Sequence, residues 1–245
     1  DTLRAAGIDP VLELPGVGEN LHDHLLSPVI YATEREIGGP PSGTSPTQTH
    51  LFWRSQPDLA VPDTQPLHFS VPMYQEGMTG PGDGFTLMSG IVTPKSRGSL
   101  RITGPSVDDE IAIDLAALSH PDDVVSLVAS VRQCREVGRQ AALAAAPGDG
   151  GWGATELYPG AAVGDDDASL TEYVRNTAIT YHHQVGTCAM GTGTDAVVDP
   201  QLRVHGVSGL RVVDASIMPT VTTGNTNGPA LVIGERGASF MLAEG

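Results

Sequence analysis

The sequence predicts an α+β protein in which an antiparallel sheet is combined with helices. Short runs of β-branched and aromatic residues recur between residues 49 and 103, and turn residues separate them at short spacing, as in antiparallel sheets. Stretches after residue 119 instead repeat apolar residues every three or four positions, which indicates helices. With 245 residues, 40% of them hydrophobic, the chain can form one large domain or two small ones around a sizeable core.

Composition excludes several classes of partner. The formal net charge of −16 disfavours nucleic acid and anionic membrane surfaces, and it is compatible with neutral or cationic substrates. No apolar run approaches the length of a membrane span. The two cysteines, Cys134 and Cys188, provide no disulfide framework, so we expect a reducing, cytoplasmic compartment.

Local signals predict the order of the elements. The first are a helix end stopped by Gly7, a short strand at 11–15, a polar glycine turn at 16–24, a strand at 25–35 and a loop at 36–48. Further strands are expected around 51–53, 67–71, 85–92 and 98–102. The remaining elements are a helix capped by Ser119 that ends before Pro147, a helix from Ser169 to about Asn176, a hairpin at 202–213, and a last helix from Pro229 to about Leu242.

Two adjacent histidines mark the candidate site. His182 and His183 follow an expected helix and precede a glycine-bounded turn at 186–191, a pattern that packing alone explains poorly. Histidine is the side chain best suited to move a proton near neutral pH. A second polar turn at 223–229 carries Asn225 just before the last helix, where a short polar side chain can hold a substrate oxygen. Together the two segments suggest oxidation or acid–base chemistry on a hydroxyl or carbonyl group.

The glycine turn near the start of the chain carries another pair of histidines. His22 and His24 flank Asp23, an arrangement that could be half of a metal site. No carboxylate–histidine pair at helical spacing completes the ligand set, so a polar loop that satisfies its own backbone and neighbouring segments is the favoured interpretation. A metal-dependent hydrolase that uses these two histidines together with His182 and His183 is the alternative.

Five segments occur in the order found in one enzyme family. They are LPGVGENLHDHL at 14–25, TPKSRGSLRIT at 93–103, YHHQVGTCAMG at 181–191, VVDPQLRVHGVSGLRVVDASIMP at 197–219 and GNTNGPALVIGERGASFM at 224–241. In series they resemble the C-terminal part of the glucose–methanol–choline (GMC) oxidoreductases. The resemblance covers the whole chain, and it is closest to the choline dehydrogenase and alcohol dehydrogenase branches of the family.

The resemblance implies a division of the chain. Residues 1–24 match the tail of an FAD-binding region, 25–177 a substrate-binding cap domain, and 178–245 a catalytic segment that returns to the FAD domain. The glycine turn that binds the ADP part of FAD lies upstream in the family, and residues 1–245 contain no Gly-x-Gly-x-x-Gly after a strand. The implied fold is therefore an antiparallel-sheet substrate domain with helices, plus the C-terminal strands and helix of a Rossmann-like FAD domain whose N-terminal half is missing.

The resemblance also implies roles for individual residues. The catalytic base of the family matches His183, with Gln184 at a position where proline is usual. The second active-site position, histidine or asparagine in the family, matches Asn225. The residues that match flavin-contacting positions, or that start the helix facing the flavin, are Asp214, Ala215, Asn227, Gly228 and Pro229.

The implied activity is oxidation of a primary alcohol, choline or another, to the aldehyde. His183 would take the proton from the alcohol oxygen, and a hydride would pass from its carbon to N5 of FAD. The expected partners are a small-molecule alcohol and the missing N-terminal half, without nucleic acid or metal. A truncated fragment that is inactive without that half is the second interpretation, and association with a membrane through an electron acceptor is the alternative to a purely cytoplasmic location.

Overall fold

A computed structural model describes residues 2–244 of the chain. The chain divides into two compact units. The first unit comprises residues 1–24, 94–119 and 181–245, and the second comprises 25–93 and 120–180. Residues 94–119 therefore group with the two terminal segments. The assignment of cap-domain and flavin-domain roles to parts of the chain stays a prediction.

The described residues form eight strands and five α-helices. The strands are β1 (Leu25–Ala32), β2 (Thr47–His50), β3 (Leu67–Phe69), β4 (Gly84–Ile91), β5 (Ser99–Ile102), β6 (Ile111–Asp114), β7 (Thr155–Tyr158) and β8 (Ile179–Thr180). The helices are α1 (Thr2–Ala5), α2 (Pro121–Gly138), α3 (Ala141–Ala144), α4 (Asp167–Thr177) and α5 (Asn227–Glu244), with 3-10 helices at Pro147–Asp149 and Ala215–Ile217. The predicted α+β class is confirmed.

An antiparallel sheet forms the centre of the second unit. Its strand order is β2-β3-β4-β1-β7, and β8 also pairs with β1. Strands β1 and β4 pair without a break from Leu25 opposite Ile91 to Ala32 opposite Gly84. Both strands are buried along nearly their whole length, because each has strands on both sides and helix α2 packs on them. This position explains why their sequences do not alternate strictly between apolar and polar residues.

Helix α2 buries the apolar stripe predicted from its spacing, including Leu127, Val131 and Cys134. Its cap is His120, whose Nδ1 accepts the N–H of Asp122 at 3.2 Å. The prediction of Ser119 as the cap is therefore wrong. Pro121 occupies the first helical position, so the residue before it, His120, is the cap.

Helix α4, in contrast, begins earlier than predicted. Asp166 is its cap, and the carboxylate accepts the N–H of Ser169 at 3.0 Å and its hydroxyl at 2.7 Å. Ser169, predicted to be the cap, therefore lies in the first turn and bonds to it. An acidic side chain is well suited to this position because it faces the positive end of the helix dipole.

A buried cation connects helix α2 to β7 and to the segment that follows it. Arg135 is 3% exposed and pairs with Glu156 and Asp165 at 2.7 Å each. It also donates to the carbonyls of residues 160, 163 and 164. A buried guanidinium needs this complete set of acceptors, since an unpaired buried charge is strongly destabilising.

Three strand predictions differ from the structure. Residues 11–15 form no strand, and Val11 is fully exposed, because no neighbouring segment pairs with this run. Residues 51–53 contribute only an isolated bridge between Trp53 and Thr64. The strand at 98–102 exists as β5, but it pairs with β6 in a separate two-stranded sheet of the first unit.

The first unit has a core around the predicted hairpin. Its buried members are Val197, Val198, Leu202, Val204 and Ile217. The hairpin closes through the Val204 N–H to the Leu210 carbonyl at 2.9 Å and the Val212 N–H to the Leu202 carbonyl at 3.2 Å, without regular strands. Helix α5 packs on this core through Ile233 and Phe240. The large apolar side chains that this helix leaves exposed are Leu231, Val232, Met241 and Leu242.

Within residues 2–244, no helix is long and apolar enough to cross a bilayer. Cys134 is buried and Cys188 is half-buried, and both are free thiols. Burial raises the pKa of the Cys134 thiol, which keeps it in its neutral form. Cys134 therefore acts as a small apolar core residue, as its position on the helix stripe predicted.

Candidate active site

Two segments of the first unit lie antiparallel beside each other and carry the candidate site. His22 and Val185 exchange two backbone hydrogen bonds, at 3.2 and 3.0 Å, and the Tyr181 N–H donates to the His24 carbonyl at 3.0 Å. Gly186 follows with a φ of +101°, and a Cβ on it would collide with the Asn20 carbonyl oxygen. Only glycine therefore permits this approach of the two backbones.

Asp23 holds the backbone on which the candidate base is mounted. One carboxylate oxygen accepts the backbone N–H of His183 at 2.9 Å, and the other accepts the side-chain amide of Gln184 at 3.0 Å. Asp23 is 2% exposed. Gln184 thus adds a side-chain contact to Asp23 at the position next to the candidate base.

The ring of His183 is paired with a second histidine. Its Nδ1 lies 2.9 Å from the Nδ1 of His24, and the two rings meet edge to face at 89°. His183 is 8% exposed and His24 is wholly buried. Burial lowers the pKa of His183, and the nearby imidazole of His182 lowers it further. His183 is therefore neutral at neutral pH and able to accept a proton.

Tyr181 lies between the two predicted catalytic residues. The Asn225 side-chain amide donates to the Tyr181 hydroxyl at 3.1 Å, and the Tyr181 and His183 ring centroids are 4.2 Å apart. Asn225 is exposed and stands two residues before helix α5. The structure therefore brings His183 and Asn225 together through a residue to which the sequence had assigned no role.

His22 fixes the turn that leads to Asn225. Its Nε2 accepts the backbone N–H of Val221 at 3.0 Å, so its proton is on Nδ1, which donates to the Asn20 carbonyl at 2.6 Å. Burial lowers the pKa of His22, which favours this neutral form. Beneath the turn, Val221 packs with Val185 and Met218 in a small buried cluster.

The residues that match flavin-contacting positions lie in the same unit. Asp214 is exposed and caps the 3-10 helix at 215–217, where it accepts the Ser216 N–H at 2.8 Å. The carbonyl of Ser216 in turn accepts the Cys188 N–H at 2.9 Å, so this turn is paired with the segment that follows His183. Ala215 packs against the cluster beneath the turn. Asn227 and Gly228 are exposed at the start of α5, and Pro229 is half-buried.

Sequence reasoning missed the contributions of Asp23, His24 and Tyr181. The available signal was the close spacing of two histidines and an aspartate in the turn at 16–24, which we assigned to a polar loop. The side chains of His22, Asp23 and His24 are all buried, and they bond to the neighbouring segments at His183 and Val221. Among residues 2–244, no group of three or more His, Cys, Asp and Glu side chains is arranged to hold a metal ion.

Comparison with known proteins identifies the family to which this chain belongs. The family model for GMC oxidoreductases matches residues 94–234. The chain therefore belongs to the GMC oxidoreductase family. The match confirms the resemblance found in the sequence motifs.

Several named members of the family are similar to this chain. An oxygen-dependent choline dehydrogenase of Brucella canis is 33% identical over 98% of this chain and 47% of its own length. Choline oxidase of Arthrobacter globiformis is 33% identical over 96% of this chain and 43% of its own. An alcohol dehydrogenase [acceptor] of Pseudomonas putida is 34% identical, with 98% and 46% covered. The chain spans about half the length of the curated relatives it matches.

Solved structures of other oxidases have the same fold as this chain. Pyridoxine 4-oxidase from Mesorbium loti superposes with a TM-score of 0.88 at 34% identity, over 98% of this chain and 46% of that one. A variant of formate oxidase from Aspergillus oryzae RIB40 superposes with a TM-score of 0.84 at 22% identity, over 99% and 50%, which shows the shared fold.

Proposed function

We propose that this chain is the C-terminal half of an FAD-dependent oxidoreductase that oxidises a primary alcohol to the aldehyde. The observation that carries the proposal is the cluster of His183, Tyr181 and Asn225, in which a neutral buried imidazole lies near an exposed amide. Relatives named as choline dehydrogenase, choline oxidase and alcohol dehydrogenase support an alcohol as the substrate.

The residues of the first unit fit the flavin end of FAD. The start of α5 is exposed at Asn227 and Gly228, and the free N–H groups and positive dipole end of a helix favour a negatively charged ring edge. The exposed carboxylate of Asp214 can accept hydrogen bonds from hydroxyl groups. A bound flavin would supply the hydride acceptor at N5.

The chain's own residues supply the proton chemistry. His183 takes the proton of the alcohol hydroxyl as the hydride leaves the adjacent carbon, because its imidazole is neutral and 8% exposed. The Asn225 amide holds the same oxygen by a hydrogen bond without carrying a charge of its own. The strongly acidic chain, at −16, is compatible with a cationic alcohol such as choline.

The second part of the proposal is that activity requires an N-terminal half with the ADP-binding unit. The chain covers 43–47% of its choline- and alcohol-oxidising relatives. Helix α5 leaves a row of apolar side chains exposed, of which Leu231 is 68% and Leu242 83% exposed. Exposed apolar surface of this kind is typical of an interaction site.

The test is to titrate the 245-residue chain with FAD while following flavin fluorescence, alone and with the half encoded upstream added in trans. We expect weak or no binding alone and binding in the mixture, followed by bleaching of the flavin when choline or another primary alcohol is added without oxygen. Tight stoichiometric binding by the chain alone would contradict the need for a second half. Binding without bleaching by any primary alcohol would contradict the proposed reaction.

A further inference from the structure

We propose that Asp23 and His24 are the positioning residues of His183, and that His24 decides which ring nitrogen of His183 carries the proton. The inference rests on the proposed function of His183 as the base. Asp23 and His24 are buried and far from His183 in the sequence, and neither belongs to a motif known for proton transfer.

The ring-to-ring contact restricts the protonation states of the pair. The two Nδ1 atoms are 2.9 Å apart, which is hydrogen-bond distance, and such a bond needs one N–H donor and one lone pair. Two neutral rings therefore exist in only two hydrogen-bonded arrangements. Either His183 donates from Nδ1 and has a lone pair on Nε2, or His24 donates and the proton of His183 is on Nε2.

Only the first arrangement leaves His183 able to act as a base at its outer nitrogen. In that arrangement the proton of His24 is on Nε2, and its Nδ1 lone pair accepts the His183 N–H. The alcohol hydroxyl gives its proton to Nε2 of His183, which becomes an imidazolium with both nitrogens protonated. The Nδ1–H of that cation still donates to His24, so the positive charge gains a neutral hydrogen-bond acceptor inside the protein.

Burial indicates which of the two rings takes the charge. His24 is 0% exposed and His183 is 8% exposed, so a charge on His24 loses more hydration. The Nδ1 of one ring faces the Nδ1 of the other at 2.9 Å, with the two ring planes at 89°. His24 is therefore suited to accept and orient, and His183 to react.

Asp23 fixes the backbone on which this geometry depends. It accepts the His183 N–H at 2.9 Å and the Gln184 side-chain amide at 3.0 Å, with one carboxylate oxygen for each. A ring turns about bonds that begin at this backbone, so a displaced N–H would move the Nδ1 away from His24. The dipeptide thus constrains His183 at its main chain and at its ring.

The direct test is the tautomer of His183, measured in the 245-residue chain by long-range ¹H–¹⁵N NMR with ¹⁵N-labelled histidine. This readout needs neither flavin nor substrate. We expect the proton of His183 on Nδ1 and that of His24 on Nε2, with a ¹⁵N–¹⁵N coupling across the hydrogen bond. A proton on Nε2 of His183 would overturn the proposal.

Two substitutions at position 24 distinguish a role of His24 in positioning His183 from a role in packing alone. Asparagine at position 24 can present its amide oxygen near the place of Nδ1, so His24→Asn should keep the His183 proton on Nδ1, whereas His24→Leu should lose that preference. In the flavin-loaded complex with the N-terminal half, His24→Leu should lower kcat about ten- to a hundredfold, the factor expected for a lost hydrogen bond to a charged group. His24→Asn should recover most of that loss.

The exposed neighbour provides the matched control, since His182→Asn should leave the tautomer of His183 unchanged. If His24→Leu does not fold, as judged by circular dichroism, the wild-type and His24→Asn tautomers still decide the question. Equal tautomers and equal kcat in wild type, His24→Asn and His24→Leu would contradict the positioning role. If the tautomer depends on His24 but His183→Ala leaves alcohol oxidation intact, the proposed function fails and the positioning role stands.

Discussion

The Tyr181 hydroxyl accepts a hydrogen bond from the Asn225 amide at 3.1 Å, and the Tyr181 ring lies against the imidazole of His183 at 4.2 Å between centroids. One aromatic side chain therefore contacts both residues predicted to act on the alcohol. Burial raises the pKa of Tyr181, so its hydroxyl stays neutral and holds the amide by a hydrogen bond alone. Asn225 is itself exposed, and this contact ties its side chain to Tyr181.

Removing the Tyr181 hydroxyl should slow the reaction, because Asn225 loses its hydrogen bond to that hydroxyl. We expect Tyr181→Phe to lower kcat/KM about tenfold in the flavin-loaded enzyme, because a hydrogen bond worth about 1.4 kcal/mol is lost. Tyr181→Phe combined with Asn225→Ala should cost less than the sum of the two single changes, as coupled residues do. Strictly additive losses in this double-mutant cycle would show that the two residues act separately.

The candidate base can be distinguished from its neighbour by a pair of substitutions. His183→Ala should slow flavin reduction by the alcohol by a factor on the order of 10²–10⁴, as loss of a general base does. His182 has a φ of +60°, so His182→Asn is the matched control, because asparagine tolerates this left-handed backbone. Stopped-flow measurement of flavin absorbance checks both variants. A large loss in His182→Asn with little loss in His183→Ala would place the base one residue earlier.

Three histidines, of which His22 and His183 are buried and His68 is half-buried, should make stability depend on pH. Burial lowers the folded-state pKa of His22, His68 and His183 below the unfolded value of about 6.5. Between these values the unfolded chain binds more protons than the folded chain. The stabilisation is therefore complete above about pH 6.5 and is lost progressively as the pH falls below it.

Urea unfolding of the chain at several pH values above and below that point measures this effect. The free energy of unfolding should decrease by up to about 1.4 kcal/mol for each pKa unit of lowering per histidine. His68→Phe, which removes one of the three groups, should give a shallower decrease. A free energy of unfolding that stays constant from about pH 7 to about pH 5.5 would contradict the pKa directions.

Of the glycines near the site, Gly186 should tolerate substitution least. Its φ of +101° and the nearby Asn20 carbonyl both exclude a Cβ, so Gly186→Ala should lower the free energy of unfolding by about 1–3 kcal/mol. Gly193 is the control, because a Cβ there meets no atom within 4 Å and its φ is not positive. Gly193→Ala should change stability by less than about 0.5 kcal/mol in the same urea titration. Equal effects of the two substitutions would show that the backbones can separate at Gly186.

The exposed face of α5 should be needed for pairing with the N-terminal half. We expect Leu231→Glu together with Leu242→Glu to reduce aggregation of the isolated chain and to prevent pairing with the N-terminal half, because a carboxylate replaces apolar contact area. Ile113→Glu changes an apolar side chain of similar exposure, 67%, elsewhere in the first unit and should leave pairing intact. Size-exclusion chromatography of the mixed halves checks this, and unchanged pairing of the double variant would locate the interface elsewhere.

The sequence by itself determined several of the elements and the family. Local patterns sufficed for β1, β4, the apolar stripe of α2 and the start of α5, because periodicity and turn residues act between near neighbours. The order of motifs identified the GMC oxidoreductases and selected His183 and Asn225 as candidates. Helix starts were wrong by one to three residues at α2 and α4, where proline or an acidic side chain decided the cap.

The tertiary structure alone decided which distant side chains meet. His24 and His183 are 159 residues apart in the chain, and their hydrogen bond follows from the pairing of two short segments around Gly186. Asp23 is buried and bonds to the backbone of His183, which is 160 residues away in the chain. Local propensity carries no information about such contacts, because they are selected by the shape of the assembled core and by hydrogen bonding between buried polar groups.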